Sequence, residues 1–535
     1  MRRKVLLGIL FVVVGVAIFA ACARSVDDGA GKTQGTAVPE EKLGAENLLC
    51  PPDQIASIDF RVLNTDSRPA LEQGYMYKRL LNIEGEGDDE ARITRDVATA
   101  FLNALNVPLA AVPEWFVELR EKAISEAILQ DKPADYDFLN TAFAKFLGDE
   151  KYAQYADPEQ KFKLFSAVNN GLIKAVGDPF AHYFTPIEVK LGVADSSGTI
   201  YGIGSSITRN ENNEWQLVNI AQGGPAEKAG LKNYDILRKA DGKSVEGCTI
   251  QKLILNVRGP KNSQIHLTVE RNKSELAFTV VRDLIKFELI QSWPAFEWPD
   301  GRGSTNKDLS YEFPLTARDG SAADRIAYIK VYSFETQAAI DFYYILKQMP
   351  WENISGLILD LRNNPGGSLP VIEAMTGYFL PPKADILWRE EANGQQSVSR
   401  NVPSKQCFSD ADLCLEPHLV PQDLKLVVLM NSNSFSGAEV MAGALQDHKR
   451  AVLIGERSGG KGTVNRYFPL RKGEYGMLYL AIEIWRTPND RLIEPLHETK
   501  EGGLAPDIVV EQPLKGFSPD NDENIFRALE ILLEN

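Results

Sequence analysis

A chain of 535 residues exceeds the size at which one hydrophobic core stops growing, so two or three domains are expected. Its 44% hydrophobic and 24% charged residues fit water-soluble domains and exclude a polytopic membrane protein. With 58 Lys plus Arg against 73 Asp plus Glu, the net charge of -15 repels phosphate backbones and excludes nucleic acid as a partner.

The chain opens like a sorting signal. Met1, Arg2, Arg3 and Lys4 are followed by an apolar run from Val5 to Ala20, and Ala20 and Ala21 precede Cys22. That ending resembles the bacterial lipobox, with Phe19 where leucine is usual. The resemblance implies removal of residues 1–21, lipidation of Cys22 and anchorage on the extracytoplasmic side of a membrane. An uncleaved anchor is the alternative, because the run is nearly long enough to span a bilayer. Residues 22–45, rich in Gly, Ala, Thr and charge without apolar periodicity, read as a flexible linker.

Residues 46–188 are expected to be a helical region. From about Ile93 to Asp178 apolar residues recur at helical spacing, as in Phe162, Leu164, Phe165, Val168, Leu172 and Ile173. Residues 196–284 change texture to short strands, among them Leu217 to Ile220, Gln264 to Glu270 and Glu275 to Val281. From 285 to 513 apolar strands (Ile326 to Val331, Leu357 to Leu361, Leu424 to Met430, Ala451 to Ile454) alternate with helical stretches, which argues for an α/β domain. Residues 514–535 hold a closing helix, from Asp522 to Leu533. Export permits disulfides. Cys407 and Cys414 bracket a short polar loop that a bridge could close, while Cys50 and Cys248 read as buried thiols. The five histidines are scattered singly, and no Cys and His spacing suggests zinc.

Three strand-to-turn constellations carry the chemistry. In the first, the strand ending at Met430 enters a polar turn, and a helix begins at Ser436 or Gly437. A serine there exposes its hydroxyl at the positive end of a helix dipole, beside backbone N–H groups able to hold an oxyanion. Serine is also the preferred N-cap, so local sequence alone leaves both roles open. In the second, Lys461 sits in a loop between Gly460 and Gly462, after the strand Ala451 to Ile454. Buried, such a lysine would lose enough basicity to be neutral and to take a proton from Ser436. Gly455 to Lys461 also fits the G-x-x-x-x-G-K pattern of a phosphate-binding loop. That reading fails because residue 462 is Gly and the following segment reads as strand. In the third, Leu357 to Leu361 runs into Asn363, Asn364, Pro365, Gly366, Gly367 and a helix. Amides at Gly366 and Gly367 could face an anion, or the turn could be purely structural. Asp360 and Arg362 read as an ion pair or turn anchor.

These elements resemble the carboxy-terminal processing, or tail-specific, serine proteases. The match lies in Asp-Leu-Arg-Asn-Asn-Pro-Gly-Gly at 360–367, Ser-Phe-Ser-Gly-Ala-Glu at 434–439 and Gly-Lys-Gly-Thr-Val at 460–464. The resemblance implies a crotonase-like (ClpP-like) α/β protease core, Ser436 as nucleophile, Lys461 as base and an oxyanion hole from Gly437 and Gly366 or Gly367. It also implies a glutamine four residues after the lysine; here Asn465 stands there, one methylene shorter, and is kept as a catalytic candidate. Tyr201 to Ser205 resembles the carboxylate-binding loop of PDZ domains, which implies that Gly202, Ile203 and Gly204 hold a peptide terminus.

The expectation is a multidomain α/β serine endopeptidase with a PDZ-like module and an N-terminal helical region. It would act on protein or peptide substrates bearing a free C-terminal carboxylate, without cofactor or metal. The alternative is a non-catalytic binding or scaffold lipoprotein on the same fold.

Overall fold

Apolar residues at helical spacing do form helices: α1 (Asp89–Ala104), α2 (Glu114–Gln130), α3 (Asp137–Leu147) and α4 (Pro158–Val176). The computed structural model describes residues 60, 62–63, 89–130, 134–176, 178, 180–190, 200–285 except 211, 219, 222 and 249, 289–296, 314–391, 394–402, 406–408, 413–415, 420–494, 502–511 and 522–534. The signal, the linker and Cys22 lie outside these residues. The helices close on fully buried Phe60, Phe101, Phe116 and Phe165. Each such ring contributes about 1.5–3 kcal/mol on removal from water.

This core does not end at the helices. The same cluster takes in Tyr183, Leu470, Tyr475, Leu478 and Leu480. Phe165 meets Tyr475 edge-on at 5.5 Å, and the Tyr183 hydroxyl donates to the Tyr475 carbonyl at 2.7 Å. Strand β1 (His182–Phe184) pairs antiparallel with a strand of the α/β core, placing Tyr183 opposite Leu478. The helical region is thus fused to the core rather than set beside it.

After α5 (Pro186–Lys190) comes the β-rich module. It comprises β2 (Ile200–Gly202), β3 (Ser206–Arg209), β4 (Trp215–Val218), α6 (Pro225–Lys228), β5 (Ile236–Ala240), β6 (Lys243–Ser244), α7 (Ile250–Val257), β7 (Gln264–Arg271), β8 (Ser274–Val281) and β9 (Asp283–Ile285). Its sheet runs β3-β4-β5-β7-β8, so β3 lies at an edge. Leu217, Leu237, Leu253, Ile265 and Leu267 form its core. Cys248 is disulfide-bonded, which corrects its reading as a thiol; the bonded sulfur lies outside the described residues.

The α/β core comprises β10 (Ile290–Trp293), β11 (Ile326–Val331), α8 (Thr336–Gln348), β12 (Gly356–Asp360), α9 (Leu369–Gly377), β13 (Asp385–Glu391), β14 (Gln396–Arg400), β15 (Gln406–Phe408), β16 (Leu413–Leu415), β17 (Lys425–Met430), α10 (Gly437–Asp447), β18 (Val452–Gly455), β19 (Thr463–Pro469), β20 (Met477–Arg486), β21 (Ile508–Val509) and α11 (Glu523–Leu533). One sheet has the order β10-β11-β12-β17-β18-β21 and is parallel except for β10. Helix α11 covers one face through Ile525, Ala528, Leu529 and Leu532, and helices α8, α9 and α10 cover the other. Coverage on both faces explains why these strands read as unbroken apolar runs. A second sheet, β1-β20-β13-β14 with β19 on β20, carries the helical region. The β19–β20 hairpin follows the lysine loop where a phosphate-binding loop would start a helix. In the β15–β16 pair the backbone of Cys407 stands opposite that of Cys414; their side chains lie outside the described residues.

Candidate active site

Strand β17 ends at Met430, and the turn beyond it is held on all sides. The Ser434 hydroxyl donates to the Leu361 carbonyl at 2.8 Å and accepts the Asn431 N–H at 3.0 Å, while the Phe435 N–H donates to the Asn364 carbonyl at 2.9 Å. These bonds force Ser436 into φ 52°, ψ −112°, a left-handed backbone that costs a non-glycine residue about 1–3 kcal/mol. Ser436 is the N-cap of α10 and forms a capping box with Glu439, whose carboxylate accepts the Ser436 N–H at 2.7 Å. Ser436 itself stays half-buried.

Glu439 is fully buried and also accepts the Ser458 hydroxyl at 2.5 Å, the Gly460 N–H at 2.8 Å and the Lys461 N–H at 2.9 Å. Burial pushes its pKa up, against the pull of those donors. One oxygen, Oε2, accepts from both Ser436 and Lys461, so the two backbones are separated only by the span of two hydrogen bonds. The sequence reading missed Glu439. Its signal was an acidic residue three places after a capping serine.

The Lys461 side chain is 8% exposed, and burial lowers its pKa; Asp178, then Glu494 and Glu439, pull it back up. Its Nζ donates to the Tyr479 hydroxyl at 3.5 Å and lies 5.0 Å from the centre of the Phe180 ring. The backbone is pinned by the Trp485 indole N–H, which donates to the Lys461 carbonyl at 3.0 Å. No hydrogen bond joins this amine to the Ser436 hydroxyl among the described residues. Gly459 has to be glycine, since a Cβ there would lie 1.9 Å from the Phe435 ring.

Beyond β12, Gly366 adopts φ 98°, and a Cβ on it would stand 2.7 Å from the Gly437 nitrogen and 2.8 Å from the Ser436 Cβ. That close approach brings the glycine turn against Ser436. Gly366 is nevertheless no oxyanion donor in this structure, which corrects the sequence reading: its N–H is spent on the Asn364 side chain at 2.8 Å. The N–H groups of Gly437 and Gly367 have no hydrogen-bond partner among the described residues.

Asp360 and Arg362 prove structural. Arg362 is buried, pairing with Asp360 at 2.6 Å and with Asp522, the N-cap of α11, at 2.6 Å. Burial alone would raise Asp360, but Arg362 and Lys330 overcome it and hold its carboxyl well below the usual range.

Asn465 does not reach the lysine. Its Oδ1 accepts the Thr463 hydroxyl at 3.1 Å and its Nδ2 donates to Asp178 at 3.1 Å. Asp178 is 5% exposed, lies between α4 and β1, and was also missed from sequence. Burial raises its pKa, opposed by the Phe180 N–H, Lys461 and the Asn465 amide.

In the β-rich module, Gly202 ends β2, the Ile203 carbonyl accepts the Ala226 N–H at 2.7 Å, and Gly204 at φ 72° accepts the Ala221 N–H at 2.8 Å. The edge strand β3 follows directly and, among the described residues, pairs with β4 on one side only. Helix α7 packs its Ile254 and Leu255 against Phe184, whose ring in turn meets that of Tyr479 edge-on at 6.3 Å. Among the described residues no group of three or more His, Cys, Asp or Glu side chains could hold a metal, and no helix is long and apolar enough to cross a membrane.

Residues 325–510 match the model of peptidase family S41 and residues 202–281 match that of a PDZ domain. A carboxy-terminal-processing protease of Bartonella bacilliformis is 30% identical over 381 residues, covering 70% of this chain and 77% of that protein. A carboxyl-terminal-processing protease of Synechocystis is 27% identical over 352 residues, covering 65% of this chain and 71% of its own. Among solved structures, a photosystem II D1 C-terminal processing protease aligns at 20% identity with a TM-score of 0.38, over 71% of this chain and 91% of the other.

Proposed function

Because the chain belongs to the carboxy-terminal-processing proteases of peptidase family S41, and is therefore a serine peptidase, we propose that Ser436 and Lys461 are its catalytic pair. The supporting observation is the single Glu439 oxygen that accepts the backbone N–H of both residues. Neutral Lys461 turns from Tyr479 to the Ser436 hydroxyl and takes its proton, and Oγ attacks the substrate carbonyl. The oxyanion accepts the N–H groups of Gly437 and Gly367. The amine then leaves with the proton from the Lys461 ammonium, and water, deprotonated by the same lysine, releases the acyl group.

The PDZ module offers a substrate the free edge of β3, next to the turn at Gly202, Ile203 and Gly204 whose amides suit a terminal carboxylate. Protein tails with a free carboxylate are the proposed substrates. Export and anchorage through Cys22 belong to the same proposal and rest on residues 1–22.

Protein lacking residues 1–22 should degrade unfolded casein, and Ser436→Ala and Lys461→Ala should each lower the rate at least about 10³-fold. Cleavage by either variant at the wild-type rate would refute the assignment.

A further inference from the structure

Lys461 faces several groups that could govern its proton: the Tyr479 hydroxyl and the carboxylates of Asp178, Glu494 and Glu439. Two of these carboxylates are committed to backbone. Glu439 binds the N–H groups of Ser436, Gly460 and Lys461, and Glu494 accepts the Gly462 N–H at 2.7 Å. Asp178 differs in origin and in what it organises. It comes from the end of the helical region, 287 residues before Asn465. Its Oδ1 accepts the Phe180 N–H at 2.8 Å, fixing the turn that lays the Phe180 ring against the Lys461 amine on one side and, at 6.1 Å, against Phe435 on the other. Phe435 directly precedes the nucleophile. The Asp178 carboxylate orients the Asn465 amide: a carboxylate only accepts, so the amide nitrogen faces it and the amide oxygen is left to accept from Thr463.

Taking Ser436 and Lys461 as the catalytic pair, we infer that Asp178 is the positioning carboxylate of Lys461, and that Asn465 acts on the lysine only through Asp178. Asp178 makes no ion pair with the amine within contact distance, so it works in two indirect ways. Its negative charge favours the ammonium and sets the pH at which the base becomes free. Its hold on Phe180 shapes the wall along which the amine moves towards Ser436. The helical region is then a working part of the site: without it the core would lose both the carboxylate and the ring.

The test is the pH dependence of kcat/KM for cleavage of fluorescein-labelled casein by the full chain, with Ser436→Ala and Lys461→Ala as controls and thermal melting to confirm folding. Asp178→Asn removes the charge but keeps the shape. It should move the acid limb of the profile to lower pH by about 0.5–1 unit and lower the plateau about tenfold. Asn465→Ala should move the limb the same way by a smaller amount. A limb left at the wild-type pH in Asp178→Asn, whatever the plateau, overturns the inference. Should that variant fail to fold, an unmoved limb in Asn465→Ala overturns it instead. The catalytic pair fails separately, if either control cleaves like the wild type.

Discussion

The turn around Ser436 is fixed by hydrogen bonds from its own residues, from the end of β12 and from one buried glutamate, whereas the Lys461 amine is enclosed by Phe180 and Asp178 from the helical region and Tyr479 from the β20 strand. The first arrangement is tied down on several sides and carries backbone strain at Ser436. The second meets the amine, among the described residues, with a 3.5 Å hydrogen bond from Nζ to Tyr479 and with the Phe180 and Tyr479 ring faces. On the proposed mechanism, the serine is placed by its turn and the proton is governed in the lysine pocket, which Phe184 links to α7 of the PDZ module.

Glu439 joins the two regions, so its removal should have the largest effect. Glu439→Ala leaves the amides of Ser436, Gly460 and Lys461 buried and unpaired; it should cost about 3–5 kcal/mol in chemical denaturation and remove measurable proteolysis. A variant of wild-type stability would show that the two regions are not joined there.

Lys461→Met should separate stability from activity: proteolysis is lost while stability at neutral pH rises by about 1–2 kcal/mol, because a buried amine is replaced by an apolar chain of similar length. The pH dependence gives a further check. Burial lowers the folded-state pKa of Lys461, so between that value and the ordinary lysine value the unfolded chain binds more protons, and this residue's contribution makes stability rise with pH. Below the folded-state pKa the penalty is constant. Denaturation midpoints of Lys461→Met should lack this slope; an identical slope would mean that the amine titrates normally.

The strand-to-turn units were legible in sequence because their determinants are local: unbroken apolar runs for β11, β12, β17 and β18, then Gly, Asn and Ser in the turns that follow. Ser436 and Lys461 could be singled out for the same reason. Asp178 could not, since nothing in a window around it distinguishes a site carboxylate from a loop aspartate until β1 pairs with β20 and delivers it to Asn465. The spending of the Gly366 amide on Asn364 lay within reach, being an Asx turn two residues long, but the glycine pair drew the assignment to both amides. The fusion of the helices to the core was hidden because Tyr183 and Tyr475 lie far apart in sequence and meet only through the second sheet.

The most direct test of the central claim is covalent labelling of Ser436 by a fluorophosphonate, followed by peptide mass mapping across a pH series. The expected result is one adduct, on Ser436, formed faster as pH rises through the lysine's titration and lost in Lys461→Met. Labelling of Lys461→Met at the wild-type rate, or an adduct on a different serine, would contradict it.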